Sequence, residues 1–257
     1  MSINRHLNIR FLISECIKVK RSGFYPIVIG TPLIIGLCYI CYFFYTSIPI
    51  IDSYYYYILT LTIISPILFS CSLYIPFEIE KKCCQGKEIF SSPFGMKKII
   101  RGKIYFMVIT HLCALTISIC IYYLFAEIIG QSLPTYSLFV IPIIFLGQLF
   151  LFLLFIFLIL ILDKNVIILI GITATLLNGI LMTKLGNGIW FYFPNSWSTI
   201  LSHIFLKCYN IESYISNVYI MLFKFSSSAI ILYLILYYWL LNKSYFLIEN
   251  NYKKHQQ

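Results

Sequence analysis

The stretch EIEKKCCQGKEIFSSPFGMKKIIRGK, residues 78–103, decides how the rest of the chain is read. Within 26 residues it holds seven Lys or Arg, three acids, two adjacent cysteines and a Pro-Phe-Gly. The runs that flank it, 54–77 and 104–129, are almost wholly apolar or aromatic. Each is long enough to cross about 30 Å of hydrocarbon at a helical rise of about 1.5 Å per residue. A charged interlude between two such runs belongs outside the bilayer, at a membrane face.

Working outward, the same contrast repeats. The 257 residues are 60% hydrophobic and only 11% charged, with mean hydropathy +0.88. Soluble domains carry about a quarter charged residues, so this chain lacks the polar cover a soluble globule needs. The expected fold class is an all-α integral membrane protein with six transmembrane helices, at 24–45, 54–77, 104–129, 137–162, 165–182 and 218–241. The fifth is the shortest and contains Gly171, Asn178 and Gly179; only Asp163 and Lys164 separate it from the fourth. The domain plan is a leader at 1–23, a six-span body at 24–241 and a tail at 242–257.

Charge sets the direction. Of 19 basic residues, 16 lie before the first run, in the 78–103 loop, at Lys164 or after the sixth run, leaving Lys184, Lys207 and Lys224 elsewhere. By the positive-inside rule both termini are cytoplasmic, as an even number of spans requires. The net charge of +10 therefore points to anionic lipid headgroups and not to nucleic acid. The nine cysteines include Cys38/Cys41 and Cys83/Cys84, with no second pair at zinc-site spacing, so neither a metal centre nor a disulfide scaffold is expected.

Before the first run, LNIRFLISECIKVKR (7–21) places charges at Arg10, Glu15, Lys18, Lys20 and Arg21 among apolar positions. It reads as an amphipathic helix in the cytoplasmic interface, its lysines toward lipid phosphates; the alternative is a disordered basic leader. Pro26 suits a first helical turn, whereas Pro32 is expected to bend the first span or to end a short re-entry. The 78–103 loop itself divides. Glu78, Glu80, Lys81 and Lys82 continue the second span into water, and Gly86 is a break. Ser91 or Ser92, then Pro93, start a short helix across the membrane face that exposes Phe90, Phe94 and Met96 beside a basic rim. Such a helix suits docking to a partner, though lysines here also serve orientation alone.

These residues carry a resemblance. The loop is similar to that of the ABC-2 type permeases, six-span subunits of ATP-driven transporters, in its Glu78-Ile-Glu80-Lys81-Lys82, Gly86, Ser91-Ser92-Pro93 and Lys97-Lys98-x-x-Arg101-Gly102-Lys103. Ser14-Glu15-x-x-Lys18-x-Lys20-Arg21 resembles the helix that precedes the first span in that family. Hydropathy matches from about residue 8 to 241. The resemblance implies a type V exporter-like permease fold and two copies of a separate ABC ATPase holding ATP and Mg2+. It also implies coupling through Glu78, Glu80, Lys81, Lys82, Gly86, Ser92, Pro93 and Phe94.

Residues 183–217 hold Trp190, Phe191, Tyr192, Phe193, Trp197 and Tyr209, with Gly186, Gly188 and Pro194 arguing against one continuous helix. A re-entrant or surface-lying pair of short helices is expected on the extracellular side, whose aromatics form either an interfacial belt or a surface that meets an amphipathic cationic peptide. Gly186, Gly188, Ile189, Trp190, Pro194 and Trp197 also resemble a segment of lantibiotic-immunity permeases, the G-type subunit more than its E-type partner. Asn187 stands where aspartate is commoner in that family. Implied contacts are Gly188, Trp190, Tyr192, Pro194 and Trp197, with a lantibiotic as substrate and membrane lipids as surroundings, in the cell membrane of a Gram-positive bacterium.

The given sequence contains no phosphate-cradling Gly-x-x-x-x-Gly-Lys-Ser/Thr, no His-Glu-x-x-His and no Gly-x-Ser-x-Gly. An enzyme is therefore not expected, and no cofactor is assigned to this chain. His111 is expected to pack or hydrogen-bond within the third span, and Gln148 to bond between helices. The sparse polarity of the spans favours lipidic or amphipathic substrates over a hydrophilic channel. Two alternatives remain: a permease of this fold exporting another antimicrobial peptide, drug or lipid, and a non-transporting immunity protein that sequesters peptide.

Overall fold

The computed structural model describes residues 12–46, 48–84, 96–131, 133–186, 189–208 and 233–239, with backbone only for 80–84, 96–98, 136 and 208. All regular structure there is helical: α1 (12–19), α2 (Pro26–Thr46), α3 (Ile50–Cys84), α4 (Met96–Ile128), α5 (Val140–Ile161), α6 (Lys164–Leu181), α7 (Trp197–Cys208) and α8 (233–239). Five stretches are long and apolar enough to cross a membrane, namely Pro26–Thr46, Ile50–Ile79, Ile99–Ile128, Ser137–Ile161 and Lys164–Leu181. The chain is an all-α, multi-span membrane protein. Of the expected sixth span, only the helical 233–239 falls within the described residues.

Lys18, Lys20, Arg21 and Lys164 gather at one end of the bundle, the basic end; the opposite end is the far end. Two apolar clusters fill the space between. Phe24, Phe69, Phe77, Ile104, Met107 and Phe155 belong to the basic-end cluster. Tyr54, Tyr57, Ile58, Ile119, Tyr122 and Ile144 belong to the far-end one, where the Tyr57 and Tyr122 rings stack at 4.9 Å. Tyr122 Oη lies 2.7 Å from Ser53 Oγ, so the polar edge of that stack is satisfied inside the bundle.

Two expectations about the helices are corrected. Of the two roles left open for Pro32, ending a short re-entry does not hold, since the helix runs through it. The irregularity falls one turn earlier, where Pro26–Gly30 forms a π turn ahead of the α-helical Thr31–Thr46. Pro32 has no N–H for a carbonyl in the preceding turn, and widening that turn accommodates the lost bond. Likewise, residues 96–103 do not belong to a separate helix across the membrane face. Met96–Ile128 is one helix, because MKKIIRGK joins the apolar run with no helix-breaking proline between them. Gly130 closes α4 at φ 76°, with Gln131 N–H donating to Ala126 O at 3.2 Å, a Schellman-type end.

The packing of α6 on α3 fixes the depth of all later elements. The helices run antiparallel, paired at Lys164–Glu78, Gly171–Ser70, Thr175–Ile67 and Asn178–Thr62. Leu181 is thus level with about residue 60 of α3, leaving roughly 15 Å of α3 beyond it at about 1.5 Å per residue. α6 runs out before the far end. Three short 3-10 turns come next, at Lys184–Gly186, Trp190–Tyr192 and Pro194–Ser196, and α7 then climbs toward the far end along α5. Trp197 packs on Phe150, and Phe205 joins the far-end cluster with Val140.

Glycines make the close approaches possible. A Cβ on Gly147 of α5 would stand 2.7 Å from Ser198 Cα, whereas one on Gly179 of α6 would meet nothing within 4 Å. Gly147→Ala is expected to lower stability by about 1–3 kcal/mol through overpacking against backbone, with Gly179→Ala near neutral. Thermal unfolding of both variants in detergent micelles checks the contrast.

Candidate functional site

At the basic end, α1 turns an unexpected face to the bundle. Glu15 is 1% exposed, while Ile13 and Ile17 are 52% and 66% exposed. Glu15, grouped from sequence with the charges of an interfacial helix, thus faces the bundle. Lys103, projecting from α4, provides the reason: its Nζ lies 3.9 Å from Glu15 Oε2 and donates to the Pro76 carbonyl of α3 at 2.9 Å. The same ammonium stands 4.8 Å from the Phe77 ring centre. Lys18 Nζ completes the set, 3.1 Å from Glu15 Oε1. Outward-facing isoleucines cost little where the surroundings are lipid. Lys103, read from sequence as one of seven loop cations, is itself only 1% exposed. Lys20 and Arg21 are exposed, as the interfacial reading expects.

The coupling residues divide. Glu78 lies in α3 with Oε2 3.4 Å from Lys164 Nζ, which ties the α5–α6 turn to the end of the second span. Glu80, Lys81 and Lys82 are placed by their backbone in the last turns of α3. Gly86, Ser92, Pro93 and Phe94 lie outside the described residues.

In the middle of the bundle, polar groups serve the backbone. Pro66 leaves the Thr62 carbonyl without its helical N–H, and Asn178 Nδ2 donates to that oxygen at 3.3 Å and to Thr199 Oγ1 at 3.0 Å. The Ile67 N–H, next along α3, donates to Thr175 Oγ1 at 3.2 Å. His111 Nε2 lies 3.4 Å from Gln148 Oε1, between the rings of Phe69 and Phe152; this is the interhelical pairing expected of both residues.

Of the two forms left open for the aromatic segment, re-entrant and surface-lying, its described part takes the re-entrant one. Trp197 is 4% exposed and sits halfway down α5, not in a headgroup belt. It tolerates that depth because its Nε1–H donates to Phe191 O at 2.9 Å, while Ser196 Oγ donates to Trp190 O at 3.0 Å. Trp190 packs against Trp197, and Pro194 starts the last 3-10 turn. Tyr192 is exposed, and Gly188 lies outside the described residues.

At the far end, Tyr55 Oη hydrogen-bonds His203 Nδ1, joining α3 to α7. His203 lies outside the five spans; burial disfavours its charged form, and Lys207 one turn on adds like-charge repulsion, so its pKa falls below the usual value. Sequence reasoning passed over this pair, and Asn178 and Lys103 with it, because their partners lie 148, 116 and 88 residues away. Their only local signal is polarity beside apolar runs.

Comparison with known proteins adds no name: no family model, curated protein or solved structure gives a match.

Two outcomes are expected from these contacts. Lys103→Met leaves Glu15 buried beside Lys18 alone and is expected to cost about 3 kcal/mol in thermal unfolding, most of it recovered in the Glu15→Met/Lys103→Met double variant. For His203, the unfolded chain takes up its proton near pH 6.5 and the folded chain only at lower pH. Its contribution to stability is thus flat above about pH 6.5 and declines as pH falls through that value toward the depressed folded pKa. His203→Gln should flatten that acid-side decline, read as the melting temperature of each protein across pH 5 to 8.

Proposed function

We propose that this chain is the permease subunit of an ATP-driven ABC transporter that removes an amphipathic peptide, a lantibiotic, from the membrane and so protects a producing cell. The carrying observation is where the bundle places its polarity. Among the described residues, Thr62, Asn178, Thr199, His111 and Gln148 bond to neighbouring helices, Glu15 and Lys103 pair at the basic end, and apart from scattered serines the two core clusters are aromatic and aliphatic. An interior of that kind favours a substrate taken from lipid over a hydrophilic solute. The resemblance of 78–103 to the ABC-2 permease loop supports a partner ATPase, and that of 185–203 to immunity permeases supports the peptide.

Under this reading, two ATPase copies bind ATP and Mg2+ at the basic end and engage the loop through Pro93 and Phe94. Their closure reaches the spans through α3, whose Glu78 holds the α5–α6 turn, and through Lys103, which links α1, α3 and α4. A homologous E-type subunit completes the permease pair. The segment with Gly188, Trp190, Tyr192, Pro194 and Trp197 meets the peptide, with Tyr192 presenting the most exposed ring among the described residues of that set.

A sensitive host expressing this chain with and without its candidate ATPase and second permease, challenged with a lantibiotic panel, tests the proposal. Resistance is expected only with all partners present. Tyr192→Ala should lower resistance several-fold at unchanged protein abundance. Resistance conferred by this chain alone would favour sequestration, and indifference to every lantibiotic would remove the peptide from the account.

A further inference from the structure

We propose that the cavity between α3 and α7 at the far end binds the headgroup of a zwitterionic, ammonium-bearing phospholipid. The cavity measures about 410 Å³, and its lining includes Asp52, Tyr55, Leu59, Ser137, Leu206 and Lys207. That volume is within the range of pockets that enclose a small ligand.

Three polar side chains lining it have no side-chain hydrogen-bond or ion-pair partner among the described residues. Ser137 is 2% exposed, and its hydroxyl has no hydrogen-bond partner although it is buried. Its backbone is fixed, because the Ser137 carbonyl accepts from Tyr54 Oη at 3.1 Å. A buried hydroxyl left unmet forfeits about 1–3 kcal/mol, which an occupant of the adjoining cavity that reached it would recover. Asp52, in the first turn of α3, and Lys207, in the last turn of α7, are both exposed and have no ion-pair partner among the described residues. Tyr55 stands between these elements, held by His203, with Lys207 Nζ 6.0 Å from its ring centre.

One cavity wall therefore offers an anion, another a cation, and its depth a hydroxyl. The complement is a molecule with an ammonium for Asp52, a phosphate for Lys207 and an ester or phosphate oxygen for Ser137. Location favours lipid as its source. All three groups lie near the far-end limit of the spans, at headgroup depth, where phospholipid is the most abundant molecule. Below Asp52, the face of α3 continues through Tyr56, 48% exposed, to Leu59, and gives an acyl chain an apolar track. Anionic phospholipid fits less well, because Asp52 repels it. A cationic peptide leaves Lys207 facing like charge.

Purified protein in detergent micelles, titrated with short-chain phosphatidylethanolamine or phosphatidylglycerol and followed by native mass spectrometry, tests the site. Phosphatidylethanolamine is expected to bind at least tenfold tighter than phosphatidylglycerol. Asp52→Asn should erase that preference and Asp52→Glu restore it. Lys207→Gln should weaken both lipids, and Ser137→Ala should weaken phosphatidylethanolamine about fivefold, the worth of one hydrogen bond. Lys184→Gln, outside the cavity, serves as the control and should change nothing. Melting temperatures of all variants separate lost binding from lost fold. Equal binding of the two lipids, or a preference indifferent to Asp52, would overturn the assignment. So would equally tight binding of water-soluble glycerophosphoethanolamine, which lacks the acyl chains, or Asp52-dependent capture of a cationic peptide in place of lipid.

Discussion

Pro66 takes one N–H out of the middle of a membrane helix, and the second half of the molecule packs against the side-chain bonds that replace it. Within hydrocarbon no water is available to pair with Thr62 O, so side chains supply its donors: Ser65 Oγ from α3 itself at 2.8 Å and a second group from another helix. Asn178 is the donor that crosses between helices, and its reach requires α6 to lie against α3 without intervening bulk. Gly171 removes the side chain that would otherwise strike Ser70, and Thr175 takes the next N–H along. This seam sets the register of α6, and the register sets the depth at which α6 ends. The re-entrant turns and α7 are placed by that ending, since Trp197 and Ser198 must find Phe150 and Gly147 from where α6 leaves them.

The basic end obeys a related rule with charge in place of a backbone dipole. Glu15 and Lys103 are both almost completely enclosed, and each is held by the other together with Lys18 on one side and the Pro76 carbonyl on the other. Their contact joins an N-terminal helix to the body across 88 residues and is anchored to α3 by the Pro76 carbonyl. With the Glu78–Lys164 contact, it makes the membrane end of α3 a junction for α1, α4 and the α5–α6 turn. The long second helix is thus fixed to its neighbours by polar links at both middle and end, with apolar packing between them.

Features that depend on composition and run length were legible in the chain itself. Five of the six apolar runs correspond to membrane-length helices, the Asp163–Lys164 turn joins the fourth and fifth, and Gln148 meets His111 between helices. These depend on hydropathy or on the scarcity of polar partners in a span. The orientation of α1 was not legible, because its amphipathic pattern suits two faces equally until Lys103 is in place. The depth of Trp197 was hidden for a similar reason. Tryptophan prefers the headgroup region when its N–H needs water, and nothing nearby in sequence announces that Phe191 O will satisfy it. The continuity of 96–103 with the third span was obscured by its lysines, which as loop residues signal a boundary and as helix residues do not.

The π turn at Pro26–Gly30 has a geometric consequence for α2. Such a turn takes up about one residue more than an α turn, so the helix beyond it is rotated by roughly 100° relative to an unbroken one. Val28, near the turn, packs in the basic-end cluster, while Phe43, about four helical turns along, packs in the far-end one. A helical wheel drawn straight through residues 26–46 would merge two differently phased surfaces into one.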